Sequence, residues 1–347
     1  MIFPAPRHPD PADAPALRWG VLAPGWIASN FARAVHRHTA QRIVAVGSRT
    51  LSRAEEFASR FGVPRALGSY EAVLADPDVD VVYVASPHSQ HRAHALAAIA
   101  AGKHVLVEKA FTRNAAKARE VVTAAQAAGV FVMEAMWSRY LPHTDVVRQL
   151  LDDGALGEIR RVEADFGSRA EVDVEHRLLD PALAGGVLLD LGVYPLAFAS
   201  FVARHSGAGA LPTGEGLQVT GELATTGVDA QVSVQIAVGR LHASLFTTML
   251  AETPQTALVA GSLARVSLGP KFYLPGPVTL SRGDASATWD QNRVTGLDGL
   301  AFQAAALARF VAEGRTESPL EPLDETLAIL ETADAIRSVL GVRYPGE

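Results

Sequence analysis

Val105-Leu106-Val107-Glu108-Lys109-Ala110 is the stretch on which the reading of this chain turns. Three branched apolar residues in a row describe a strand buried on both faces, as in a parallel sheet. The run ends on an acid and a lysine, which are rarely buried without partners. In an open parallel sheet, ligands bind outside the carboxyl ends of the strands. Lys109 therefore stands where a ligand would be, if the flanking sequence builds such a sheet. A solvated Glu-Lys pair at a strand end fits the six residues equally well on their own.

The flanking sequence does alternate. Short apolar runs near residues 18–23, 42–47, 79–85, 104–107 and 131–134 predict strands. Alanine-rich segments near 26–38, 50–61, 69–75, 90–101 and 114–128 predict helices between them. That rhythm implies parallel strands joined by right-handed crossovers. After about residue 140 it changes. One helix is expected near 142–153. Runs richer in Val, Thr and alternating polar residues follow at 158–166, 217–226, 229–237, 240–248 and 256–268, and these predict a mostly antiparallel sheet. Helices return near 300–313 and 323–340. The expected organisation is thus a leader over 1–17, a Rossmann dinucleotide-binding domain over 18–140, and an open-sheet domain over 141–347 for substrate binding and oligomerisation. The C-terminal helices have the option of packing back on the first domain.

Bulk properties narrow the class. At 347 residues the chain is too long for one typical domain. Net charge is −6, with no basic stripe, which argues against a nucleic-acid footprint. With no cysteine there is no disulfide, no thiolate metal site and no cysteine nucleophile. That usage fits a cytoplasmic protein. Met1 to Leu17, rich in Pro, Ala and Asp, lacks the pattern of a signal peptide and is expected to be a flexible leader. No stretch is expected to reach membrane-spanning length. His88, His91 and His94 fan over too wide an arc of a helix to form a compact metal triad.

The first strand runs into Ala23-Pro24-Gly25-Trp26-Ile27-Ala28, which aligns with the dinucleotide fingerprint G-x-G-x-x-G/A. Gly25 holds the central position, where a side chain would block the pyrophosphate, and Ala28 is small enough for close packing. The phosphates would rest on the helix N-terminus. Ala23 replaces the first glycine, so the motif draws its weight from its place between strand and helix. The second strand ends at Ser48-Arg49-Thr50, where an NAD site carries an acid for the ribose. A missing acid, with Arg49 and Arg53 added, suits a 2′-phosphate and predicts NADP over NAD.

A second constellation is Gly185-Gly186-Val187-Leu188-Leu189-Asp190-Leu191-Gly192-Val193-Tyr194. If helical, Asp190 and Tyr194 at i, i+4 share a face. A phenol titrates near ~10 alone, and a neighbouring ammonium such as Lys109 lowers that value. Tyr194 could then exchange an alcohol proton near neutral pH. Asp190 as a cap and Tyr194 as core is the structural alternative.

Together these elements, with Pro87-His88-Ser89-Gln90-His91, resemble the Gfo/Idh/MocA oxidoreductases from Arg18 to the C-terminus. Glu134-Ala135-Met136-Trp137-Ser138-Arg139-Tyr140-Leu141-Pro142, Glu317-Ser318-Pro319-Leu320 and Gly341-Val342-Arg343-Tyr344-Pro345 are similar to the branch of dimeric dihydrodiol and NADP-dependent xylose dehydrogenases. The resemblance implies proton transfer by Lys109 and Tyr194, with Asp190 ordering the site. It implies cofactor contacts at Ser86, Pro87, His88, His91, Glu108 and Lys109, and places Trp137 and Phe166 near a sugar or cyclic-diol substrate. It also implies a homodimer through the open sheet face. The family usually reads Glu-Lys-Pro where this chain has Ala110. Because a cis bond before alanine is costly, the Lys109 loop is expected to be trans or looser. A non-catalytic NADP-binding sensor and a cofactor-recycling aldose-ketose oxidoreductase are the alternative functions.

Overall fold

The computed structural model describes residues 2–347. Its first sheet is built from β1 (Arg18–Leu22), β2 (Arg42–Gly47), β3 (Arg65–Leu67), β4 (Val81–Val84), β5 (His104–Glu108) and β6 (Val132–Ala135). These pair in the order β3-β2-β1-β4-β5-β6, all parallel. The crossovers carry α1 (Trp26–His38), α2 (Leu51–Phe61), α3 (Tyr70–Leu74), α4 (His88–Ala100) and α5 (Ala115–Ala128). The order reverses between β1 and β4, the switch point at which such sheets bind ligands.

The apolar runs do what their composition demands. Every residue of β4 is buried, and Val105, Leu106 and Val107 of β5 are fully so. Phe31 stacks on Tyr83 with ring centroids 4.2 Å apart, and Trp19 lies tilted against Phe31 at 5.3 Å. Punctuation follows the sequence too. Asn114 caps α5 by accepting from the Lys117 N–H at 2.9 Å, and Gly129 ends that helix at φ 65°. Arg65–Leu67, not expected as a strand, is a three-residue edge with no apolar run to announce it.

The second sheet follows α6 (Pro142–Asp152) and incorporates β7 (Ile159–Gly167). After α7 (Val193–His205) come β8 (Leu217–Leu223), β9 (Asp229–Val238), β10 (Leu241–Thr248), β11 (Ala257–Gly261), β12 (Arg265–Leu268), β13 (Val278–Arg282) and β14 (Ala285–Trp289). The order is β14-β13-β12-β11-β7-β10-β9-β8, antiparallel except between β7 and β10. The run expected over 256–268 is two strands of a hairpin, and β13–β14 is a further hairpin that was not expected. α8 (Leu300–Ala312) and α9 (Leu323–Leu340) complete the chain.

Two compact units result. One comprises residues 8–141 and 294–326, so α8 and the start of α9 join the parallel sheet. The other comprises 1–7, 142–293 and 327–347. Two expectations need correction. The segment expected as a flexible leader makes specific contacts: Ala14 and Leu17 pack on Ala305 and Ala308, and the Pro15 carbonyl accepts from the Gln41 amide at 2.6 Å. The helical stretch Pro181–His205 is long and apolar enough to cross a membrane by composition. Of its most apolar window, however, 83% is buried inside the protein, and the stretch is a 3-10 turn, a π-turn and an α-helix and not one continuous helix.

Candidate active site

In the Rossmann unit, β1 ends at Ala23, whose φ of 63° is the left-handed conformation that glycine adopts freely. The chain turns there and enters α1 through Gly25. No side chain caps α1 among the described residues, so its first-turn N–H groups are presented by backbone alone. A Cβ at Gly25 would meet nothing nearer than the Ala23 carbonyl at 4.0 Å, so the glycine faces open space. Exposed N–H donors, a positive helix end and an open approach together fit a dinucleotide pyrophosphate. Trp26 is exposed and Ile27 half-buried beside this turn. At the end of β2, Ser48 is buried and its hydroxyl accepts from the Thr50 N–H at 3.2 Å. Arg49 and Arg53 are exposed, with the Arg49 guanidinium beside the Tyr70 phenol.

The β5 terminus carries Glu108 and Lys109. Tyr83 donates a short hydrogen bond to Glu108, whose second oxygen accepts from the Lys109 N–H at 3.2 Å. The Lys109–Ala110 peptide is cis, not trans as the alanine led one to expect. Ala110 is fully buried and the loop is bonded on both sides of it. The Ala110 carbonyl lies 2.9 Å from His91 Nδ1, and the Phe111 N–H donates to Glu134 at 2.8 Å.

His91, expected near the nicotinamide pocket, lies behind this loop. It is wholly buried, with Nε2 2.6 Å from the Ser86 carbonyl and Nδ1 on Ala110, so neither ring nitrogen faces a ligand. Burial pulls its pKa down to about 3, so the ring is neutral and its single N–H donates to one of these two carbonyls while the other nitrogen only packs against its own. Pro87 caps α4, and His88 is buried edge-on to His91 at 5.6 Å. Ser86 accepts or donates at its hydroxyl to His94, 2.9 Å away. Trp137, on the short helical turn after β6, is buried.

In the sheet unit, Asp190 and Tyr194 do not lie on one continuous α-helix. Leu188–Gly192 forms a π-turn and α7 begins only at Val193, so the i, i+4 argument does not apply as stated. Asp190 is half-buried, 3.4 Å from Arg177. The segment is seated from behind by Asp229, fully buried, which accepts from the Leu188 N–H at 2.5 Å. Burial raises that carboxyl to about 6. Tyr344 donates to the Gly185 carbonyl at 2.8 Å. Around Tyr194 stand Phe166, at 5.6 Å, and Tyr273, at 5.1 Å, themselves stacked at 4.3 Å. Tyr273 was missed: a lone tyrosine in a Gly- and Pro-rich loop carries no periodic signal. Burial pushes its phenol up to about 12, so it stays protonated as a hydrogen-bonding wall.

Comparison with known proteins agrees with this two-part fold. An oxidoreductase family model with an NAD-binding Rossmann fold, Gfo/Idh/MocA, matches residues 17–136, and the Gfo/Idh/MocA C-terminal domain matches 144–267. The trans-1,2-dihydrobenzene-1,2-diol dehydrogenase of Mus musculus is 36% identical over 341 residues, covering 95% of this chain and 98% of that protein. A 3-ketoreductase from Actinomadura kijaniata, solved with NADP and TDP-benzene, is 28% identical at a TM-score of 0.79, over 93% of this chain and 98% of that one. Other structures of that enzyme carry a substituted lysine or a substituted tyrosine. The aldose-aldose oxidoreductase of Caulobacter crescentus, solved with glycerol, shares the fold at 24% identity and a TM-score of 0.82, over 94% of this chain and 98% of that one.

Proposed function

This chain belongs to the Gfo/Idh/MocA oxidoreductase family and is an NAD(P)-dependent enzyme acting on CH–OH groups of sugar- or diol-type substrates; on that premise we propose that it prefers NADP and that Lys109 and Tyr194 handle the alcohol proton. The observation that carries the reading is the β5 terminus. There Lys109 leaves a buried strand at the binding edge of a parallel sheet, on a loop bonded through Glu108, Ala110 and Phe111.

The nicotinamide supplies the acceptor or donor of hydride. The α1 N-terminus with Ala23, Gly25, Trp26 and Ile27 holds the pyrophosphate, and Ser48, Arg49 and Arg53 hold the 2′-phosphate. Two exposed guanidiniums with no acid at the end of β2 make that pocket attractive to phosphate. Tyr194 takes the hydroxyl proton in oxidation and returns it in reduction, Lys109 offsets the negative charge on oxygen, and Asp190 orders the polar side. Phe166 and Tyr273 beside Tyr194 supply apolar surface suited to a ring. The 36% identity to a dihydrodiol dehydrogenase favours a cyclic vicinal diol as the test substrate, with aldoses second.

Purified protein given NADP+ or NAD+ with trans-dihydrodiols and aldoses is expected to form reduced nicotinamide faster with NADP+. Lys109→Met and Tyr194→Phe are each expected to lower kcat by at least about 100-fold, the range of a general acid–base contribution, with NADPH affinity retained. Near-normal turnover in both variants would sink the assignment of these two residues.

A further inference from the structure

The segment Glu134–Pro142 contributes Trp137 and the Phe111–Glu134 bond to the reading above. Its polar members belong to a buried cluster. Glu134, Arg139, Glu321 and Glu325 are all at least 95% buried. Arg139 forms a short ion pair with Glu325, and its Nε lies 3.5 Å from Glu321. Neither carboxylate oxygen of Glu321 has a hydrogen-bond partner among the described residues. Tyr140 donates to Ser318 at 2.9 Å, tying the two parts of the cluster together. Three carboxyls around one guanidinium cannot all be ionised in a dry site without large cost, so the cluster retains at least one proton near neutrality.

We propose that Glu134 is a positioning residue for Lys109, and that the Arg139–Glu321–Glu325 cluster sets its ionisation and so couples the Lys109 loop to pH. The inference rests on the reading that Lys109 takes part in the reaction. Its geometric basis is the 2.8 Å bond from Phe111 N–H to Glu134 Oε1, two residues beyond Lys109. Ionised, Glu134 holds that N–H by a charge-assisted bond; protonated, it holds it more weakly.

The charged and titratable groups facing Glu134 come from each element packed on it. Glu108 on β5 opposes its ionisation. Arg139, on the turn after β6, favours it. Glu321 and Glu325, leading into and beginning α9, compete for the same guanidinium. Tyr140, with its phenol raised by burial, and the Thr326 hydroxyl stand beside them. His91 faces the other side of the loop at Ala110 and stays neutral. Burial pushes the Glu134 carboxyl up to about 7, so its charge changes within the working range of an enzyme.

The test is steady-state kinetics across pH 5.5–9 on the full chain, with NADPH affinity measured separately by fluorescence. Wild-type kcat is expected to rise through an inflection near 7. Glu134→Gln keeps an acceptor for Phe111 N–H but cannot titrate, and is expected to lose that inflection with unchanged NADPH affinity. Glu134→Ala is expected to lower kcat by about 10- to 100-fold, as misplacement of a reacting group does, with NADPH affinity within about twofold. Either a wild-type pH profile in Glu134→Gln or wild-type kcat in a folded Glu134→Ala overturns the proposal. Should Glu134→Ala not fold, the Gln profile decides alone. Lys109→Met separates the two levels. Full turnover there brings down the reading of Lys109 itself. Lost turnover there, with silent Glu134 variants, brings down only the positioning role.

Discussion

The Lys109 loop and the Gly185–Tyr194 segment solve one problem in two ways. Each is a short irregular stretch that presents a polar side chain at the end of a regular element, and each is seated by a buried acid whose pKa burial has raised. Behind Lys109 the acid is Glu134, placed among a guanidinium and two further carboxyls. Behind Tyr194 it is Asp229, which accepts from the Leu188 N–H and lies against a glycine. The first seat is electrostatic, tolerant of shape and sensitive to protonation. The second is steric: at Gly186, with φ 106°, an added Cβ would come 2.2 Å from Asp229 Oδ1. A charged seat tunes position with pH, whereas a packed seat holds it until it breaks.

Gly186→Ala should break the packed seat outright. Left-handed backbone for a side-chain residue costs about 1–3 kcal/mol, and overpacking against a buried acid adds about 1–3 more. A drop in Tm of many degrees is expected, with activity lost in whatever folds. A variant as stable as wild type would mean that the segment has slack.

Asp229→Asn sharpens the comparison through pH. Burial raises the Asp229 carboxyl from an ordinary 3.8 to about 6. The folded state therefore keeps a proton that the unfolded state releases. This contribution is fully present below the ordinary carboxylate range and is lost as pH rises through about 6. The loss is at most roughly 3 kcal/mol, at about 1.4 kcal/mol per pKa unit. Asparagine still offers an oxygen to the Leu188 N–H but carries no charge. Denaturant titrations at pH 4.5 and 7.5 should show the change in stability between the two shifted in Asp229→Asn relative to wild type by the Asp229 contribution, in the direction of greater stability at the higher pH. Parallel behaviour of the two proteins would remove Asp229 as the source.

Ala23→Gly carries the smallest effect and probes the cofactor turn. Glycine relieves a left-handed alanine, worth about 1–2 kcal/mol, but enlarges the unfolded ensemble by about 0.4–1 kcal/mol. The net change expected in a melting experiment is a gain of about 0–1.6 kcal/mol, with NADPH affinity retained. A clear loss of affinity would show that the alanine methyl itself touches the cofactor.

How much of this was readable in advance differs between the two regions. Val105–Val107 announced β5 because a strand covered on both faces must be apolar throughout. The turn after β1 was readable because Gly25 and Ala28 stand at set distances from a strand end. The hairpin β13–β14 was missed although Gly283-Asp284, flanked by alternating residues, is a two-residue turn signal. β3 offered no such signal, being three edge residues paired only with β2. The π-turn at Leu188–Gly192 was invisible because one inserted residue changes no composition, and it set aside the spacing argument for Asp190 and Tyr194.

From sequence alone came the fold class, the glycine-bearing turn between β1 and α1, Lys109 at the carboxyl end of a parallel strand, and the segment carrying Asp190 and Tyr194. These rest on local rules, namely apolar periodicity, turn chemistry and the scarcity of buried charge. Only the tertiary structure showed that His91 is wholly buried between the Ser86 and Ala110 carbonyls. It alone brought Tyr273 to Tyr194, and it alone set Glu134 beneath Phe111 with Glu321 and Glu325 nearly 190 residues away in the chain. The physical reason is that burial and long-range hydrogen bonds set a side chain's charge and orientation, and neither is encoded in the spacing of its neighbours along the chain.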